Sequence, residues 1–89
     1  MSSRLDKCIE ALRLLAGSSE VEATRLMTAE IRIREFVRPV GTDRTARRAA
    51  LGDLKSAVKR EAELRPREAS FWQAIGSFIA QRLAMLGDS

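Results

Sequence analysis

Four stretches of this chain repeat apolar residues at intervals of three and four, and each is closed by glycine or proline: Gly17, then Pro39 with Gly41, then Pro66, then Gly87. That spacing is the period of a helix with one buried face; no stretch shows the alternation that a half-buried strand needs. The chain therefore reads as all-α. Short connections make consecutive helices antiparallel neighbours, so the expected architecture is a compact antiparallel bundle of about four helices. At 89 residues it reads as a single helical domain, 1–89, near the lower end of what folds alone. A hydrophobic share of 45% against 31% charged residues is the mixture of a globular chain, not of a disordered one.

The spacing predicts a first helix over 3–16, with Leu5, Cys8, Ile9, Leu12, Leu15 and Ala16 on one face and Gly17 as a left-handed stop. Ser19 with Glu22 fits a capping box for a second helix over 20–38. Its main apolar face is Leu26, Ala29, Ile33, Phe36 and Val37, and Met27 with Ile31 form a smaller ridge on another side. Thr42 or Asp43 caps a third helix over 44–64, whose thin buried stripe reads Ala46, Ala50, Leu54, Ala57, Val58 and Leu64. Pro66 suits the first turn of a fourth helix reaching residue 86, the richest in apolar groups: Phe71, Trp72, Ile75, Phe78, Ile79, Leu83 and Leu86.

Composition removes whole classes of chemistry. The chain has no His, no Tyr and a single Cys. Histidine acid–base catalysis, histidine metal sites and a Ser-His-Asp triad are excluded. One thiol makes neither an internal disulfide nor a thiolate zinc site. There is no glycine-rich phosphate loop, metal-ligand spacing or nucleophile motif, so the chain reads as non-enzymatic and without a cofactor. Met1 leads straight into a charged periodic stretch with no apolar signal core. The longest nearly uncharged run, 69–86, contains Gln73, Gln81 and Arg82, too short and polar to span a bilayer. The expectation is a cytoplasmic protein with no membrane contact, in which Cys8 is a free, buried thiol.

The net charge of +4 is unevenly placed. Residues 25–67 hold twelve cations against six anions, whereas 1–24 and 68–89 are each at −1. Thirteen of the sixteen cations are Arg, the side chain suited to bidentate phosphate or carboxylate contacts. Within the basic middle, Arg44, Arg48, Lys55 and Lys59 fall within about 60° of one another on the third helix at ~100° per residue. Leu51 and Ala62 interrupt the arc, and Arg47 lies close to its start. Such a row can track a phosphate backbone, with Arg32, Arg34, Arg38 and Arg47 as supporting cations; its other reading is a solvated helix face. The leading expectation is a small binding protein that contacts nucleic acid or a nucleoprotein complex through this helix. A helix-turn-helix would set Gly41 in the turn and Thr42, Arg44, Thr45 and Arg48 at the start of a recognition helix. Val37, Pro39 and Arg47 each stand where that motif wants something else.

A second surface points to a different class. Gly76, Ala80 and Ala84 repeat every four residues on the fourth helix, beside Gln73, Ser77 and Gln81. An outer helix face normally carries charge, and this one carries almost none. Its two readings are a contact face for a protein partner or a second copy of the chain, and a central helix covered on both sides within the monomer. Under the first, the protein is an interaction module such as an adaptor, chaperone or phage- or plasmid-type inhibitor, with Gln73, Gly76, Ser77, Ala80 and Ala84 at the interface. Ala80→Glu is the substitution expected to separate this reading from nucleic-acid binding.

The remaining groups read as structural. Arg82 falls within the apolar arc of the fourth helix and should reach Glu10, Glu22 or Glu30, or lift its head to solvent. Trp72 and Phe71 could stack bases, but their apolar context favours core or interface use. Glu61 and Glu63, beside Lys59, Arg60 and Arg65, read as solvated helix surface.

Overall fold

Asp43, alone before a long amphipathic run, accounts for where the longest helix begins. Its Oδ1 accepts from the backbone N–H groups of Thr45 (3.0 Å) and Ala46 (3.3 Å), which helix geometry leaves without partners. In the computed structural model, which describes residues 3–87, this helix is α3, Arg44–Leu64. It is preceded by α1, Arg4–Ala16, and α2, Glu22–Val37, and followed by α4, Ala69–Gly87. Single 3-10 turns, Arg38–Val40 and Pro66–Glu68, lead into the last two connections. The chain is a compact all-α four-helix bundle. Asp88, counted above in the charge of the last segment, lies outside the described residues.

Local chemistry sets the other boundaries and corrects two expectations. Ser3 and Asp6 form a reciprocal capping box on α1: the Asp6 N–H donates to Ser3 Oγ at 3.0 Å, and the Ser3 N–H to Asp6 Oδ2 at 3.4 Å. Gly17 ends α1 at φ −92° and ψ 1°, not in the left-handed region. This is bridge-region backbone open to other residues, so the stop does not depend on glycine there. The Ser19–Glu22 box does not form. Ser18 Oγ instead accepts from the Glu20 N–H, and α2 begins after Val21 with no side-chain cap. The glycine that matters is Gly41, at φ 75° and ψ −147°, a conformation L side chains rarely adopt. It lets the chain reverse between the Pro39 turn and the Asp43 cap.

The core draws on all four helices: Leu12, Ile33, Leu54, Val58, Trp72, Ile75 and Ile79 are essentially inaccessible. Trp72 stands edge-on to Phe71, ring centroids 5.4 Å apart, and its indole N–H donates to Glu68 Oε1 at 3.1 Å. That bond answers the one polar atom such a buried ring brings with it. α3 packs chiefly along α4 and α1 along α2, while α2 and α3 touch little. A helix-turn-helix requires its two helices to pack together, so the α2–α3 pair does not have that arrangement. The buried line of α3 is Leu51, Leu54, Val58 and Glu61. It is rotated from the expected stripe, so that Leu51 turns inward and Leu64 is left 67% exposed. The Met27–Ile31 ridge of α2 is left uncovered, 65% and 45% exposed. Among the described residues no helix is long and apolar enough to cross a membrane.

Candidate nucleic-acid interface

The rotation of α3 places the basic row beside the seam with α4. Arg44, Arg48, Lys55 and Lys59 are all exposed, and at 1.5 Å per residue they span about 22 Å of helix. Among the described residues no carboxylate lies within 4.0 Å of the charged nitrogens of Arg44, Lys55 or Lys59. Arg48 Nη2 donates to the Leu86 carbonyl at 3.4 Å. That carbonyl belongs to the last turn of α4, where the helix dipole favours a cation. Arg47 departs from the row. It is half-buried, donates from Nε to the Gly41 carbonyl, and lines a different cavity with Arg34, Arg38 and Arg82.

Lys55 and Lys59 form one side of an open groove of about 820 Å³ between α3 and α4. The opposite side is Gln73, Gly76, Ser77 and Ala80. The two surfaces that read as alternatives in the sequence thus meet across one groove, at Lys55 and Lys59 on one wall and Gln73, Gly76, Ser77 and Ala80 on the other, while Arg44 and Arg48 lie outside it. Ala84 is exposed but lies outside it. Glu63 is the one carboxylate among the described lining residues. Gln73, Ser77 and Ala84 are exposed, so α4 is not a central helix covered on both sides. Glycine at 76 is not demanded by packing: a Cβ added there would meet Val58 Cγ1 at 4.0 Å, an ordinary contact.

Glu61 corrects the reading of the Glu61/Glu63 pair. Glu63 is exposed, but Glu61 is only 3% exposed. Arg13 grips it with two bonds, Nε to Oε1 at 2.8 Å and Nη2 to Oε2 at 2.9 Å, and Arg65 Nε adds a third to Oε1 at 2.9 Å. The Arg13 hydrogen bonds, reinforced by Arg65, overcome the cost of burial and hold the carboxyl at about 2, well below its ordinary 4.5. A carboxylate so fixed neither gives nor takes a proton near neutrality. One signal pointed to it: Glu61 continues the Leu54–Val58 line at helical spacing. Its partner Arg13 lies 48 residues away, beyond the reach of local patterning.

Arg82 is half-buried and reaches none of Glu10, Glu22 or Glu30; its guanidinium carbon stands 5.9 Å from the centroid of Phe78. Glu30 lies instead 3.6 Å from Arg34. Trp72 and Phe71 are core residues and present no face for base stacking. Cys8 is buried, and burial pushes its thiol up to about 11, which keeps it protonated and unreactive. Among the described residues no group of His, Cys, Asp and Glu could hold a metal ion.

The arrangement defines a class: a small helical bundle with an open groove between its last two helices, bordered by Lys55 and Lys59. Comparisons with protein-family models, with curated proteins and with solved structures return no match.

Proposed function

We propose that this protein is a non-enzymatic nucleic-acid-binding protein that lays a phosphate backbone along Arg44, Arg48, Lys55 and Lys59 and into the α3–α4 groove. The observation that carries the reading is the row itself: exposed cations along one flank of α3, with no described carboxylate within ion-pair distance of Arg44, Lys55 or Lys59. Cations left facing solvent in this way attract polyanions, because binding releases the counterions condensed on them. Across the groove, Gln73 and Ser77 offer hydrogen-bonding groups, and Gly76 and Ala80 let a strand come close.

The test is fluorescence polarisation with labelled single- and double-stranded DNA and RNA across a salt series. Four phosphate contacts give a log–log slope of about −3 to −4. Changing the four cations to Glu should abolish binding. Binding left intact by that change, or flat polarisation at low salt, would sink the reading.

A second reading is favoured by the exposure of Gln73, Ser77 and Ala84 on an uncharged face: an interaction module that uses α4 against a protein partner or a second copy. Ala80→Glu does not separate the two, because Ala80 shares the groove with Lys55 and Lys59. A bulky neutral change, Ala84→Phe, does, since Ala84 stands outside that groove and no charge is added beside Arg48, which contacts Leu86. It should weaken a protein contact through α4 and leave the polarisation signal unchanged.

A further inference from the structure

A second cavity, of about 400 Å³, shares no lining residue with the α3–α4 groove. Four arginines line it from separate segments: Arg34 from α2, Arg38 from the turn after α2, Arg47 from α3 and Arg82 from α4. Its other lining residues, among them Ile33, Val37, Leu51 and Met85, are apolar, and no carboxylate lines it among the described residues.

Internal contacts answer these cations only in part. Arg34 and Arg82 stand 6.0 and 5.9 Å from the centroid of the same Phe78 ring. A ring face attracts a cation but accepts few of the five N–H groups each guanidinium carries. Arg47 gives its Nε–H to the Gly41 carbonyl, and Arg34 has Glu30 at 3.6 Å, outside the cleft. Like charges gathered on apolar walls repel one another, and an anion placed among them removes that repulsion.

The protein itself supplies the standard for which anion fits. At Glu61 two guanidiniums occupy both oxygens of one carboxylate. The cleft is lined by four arginines, of which Arg38 and Arg82 have no carboxylate within ion-pair distance among the described residues, so its match is a group with more oxygens and more charge. We infer that this cleft is a binding site for a phosphate monoester carried on an apolar body, of the size of a nucleoside monophosphate. The doubly charged phosphate takes the guanidiniums, which suit it bidentately, and the base lies against Val37, Leu51 and Met85. The volume falls within the range of small-molecule sites, roughly 300–1,000 Å³. The inference does not rest on the nucleic-acid reading of the α3 row, and either can fail alone.

The experiment is calorimetric and NMR titration of the full chain with AMP, adenosine and inorganic phosphate. AMP should bind saturably and shift the methyl signals of Ile33, Val37, Leu51 and Met85. Adenosine and phosphate should each bind at least about tenfold more weakly, since each lacks one half of the match. Arg38→Gln and Arg82→Gln should each weaken AMP by about tenfold, while Lys55→Gln leaves it unchanged. Arg38 is exposed, so its variant keeps the test valid if Arg82→Gln disturbs folding. A 5′-phosphorylated dinucleotide separates the sources: tighter binding than AMP assigns the site to a strand end, weaker binding to the free nucleotide. No saturable AMP binding overturns the inference. So does adenosine or phosphate binding as well as AMP, or Arg38→Gln behaving as wild type.

Discussion

Two places in this molecule gather guanidiniums, and they differ in what answers them. Arg13 and Arg65 close on Glu61, which is buried and takes three hydrogen bonds between 2.8 and 2.9 Å. Arg34, Arg38, Arg47 and Arg82 line a cleft without a carboxylate among the described residues. The first cluster ties α1 to the C-terminal end of α3 and settles its charge inside the fold. The second leaves its charge for something outside. The burial of Glu61 is tolerated because its partners lie inside the fold, whereas the cleft arginines are exposed or half-buried and keep their charge toward solvent.

The comparison breaks most readily at Glu61. Glu61→Gln keeps the shape but removes the charge that both guanidiniums face. Arg13 and Arg65 are 42% and 43% exposed and regain water, so the loss stays below that of a fully buried pair. The expected fall in stability is about 2–3 kcal/mol, read from urea unfolding with the slope unchanged. A fall under about 0.5 kcal/mol would place Glu61 with surface pairs such as Arg32–Glu35.

Acid gives the same comparison without a mutation. The Glu61 carboxyl is held at about 2 in the fold, against an ordinary 4.5. A depressed carboxyl stabilises the fold fully above its unfolded value and loses that contribution as pH falls through its folded value. The stability difference between wild type and Glu61→Gln should therefore be constant above about pH 5 and shrink steadily from there to about pH 2. A difference that does not change over this window would mean the carboxylate is not held by Arg13.

Arg82 tests the other side. With Phe78 as its one described partner, its charge contributes little to the fold. Arg82→Met keeps much of the stem and removes the head. Stability should hold or rise by up to about 1 kcal/mol, because the lost cation–π contact and the relieved burial of charge nearly offset. A loss above about 2 kcal/mol would show that the cleft is structural, like Glu61.

These groups also mark how far the sequence carries. Helix number and type were legible because Gly41, Pro39, Pro66 and the apolar spacing are local signals, and α3 begins and ends at the expected residues, Arg44–Leu64. The rotation of α3 was not, since its Ala-rich stripe leaves several faces nearly equal in hydropathy. Leu51, read as an interruption of the basic row, decides it by turning inward. The row of Arg44, Arg48, Lys55 and Lys59 could be placed from helical spacing alone. The meeting of Lys55 and Lys59 with Gln73, Gly76, Ser77 and Ala80 across one groove depends on how α3 and α4 pack, as does the shared cleft of Arg34, Arg38, Arg47 and Arg82. Such contacts between helices leave no local period to read.

Lys55 and Lys59 are exposed and have no described carboxylate within ion-pair distance, so neither adds an ion pair to the fold. Lys55→Gln and Lys59→Gln should each change stability by less than about 0.5 kcal/mol. Each should also lower the salt slope of nucleic-acid binding by about one unit. The two readouts move independently only if the row belongs with the cleft, as charge held for a partner, and not with Glu61. A stability loss above about 1 kcal/mol from either change would instead tie that lysine into the packing of α3 on α4. The groove would then be a seam of the bundle that happens to be cationic, and the row would be a solvated helix face.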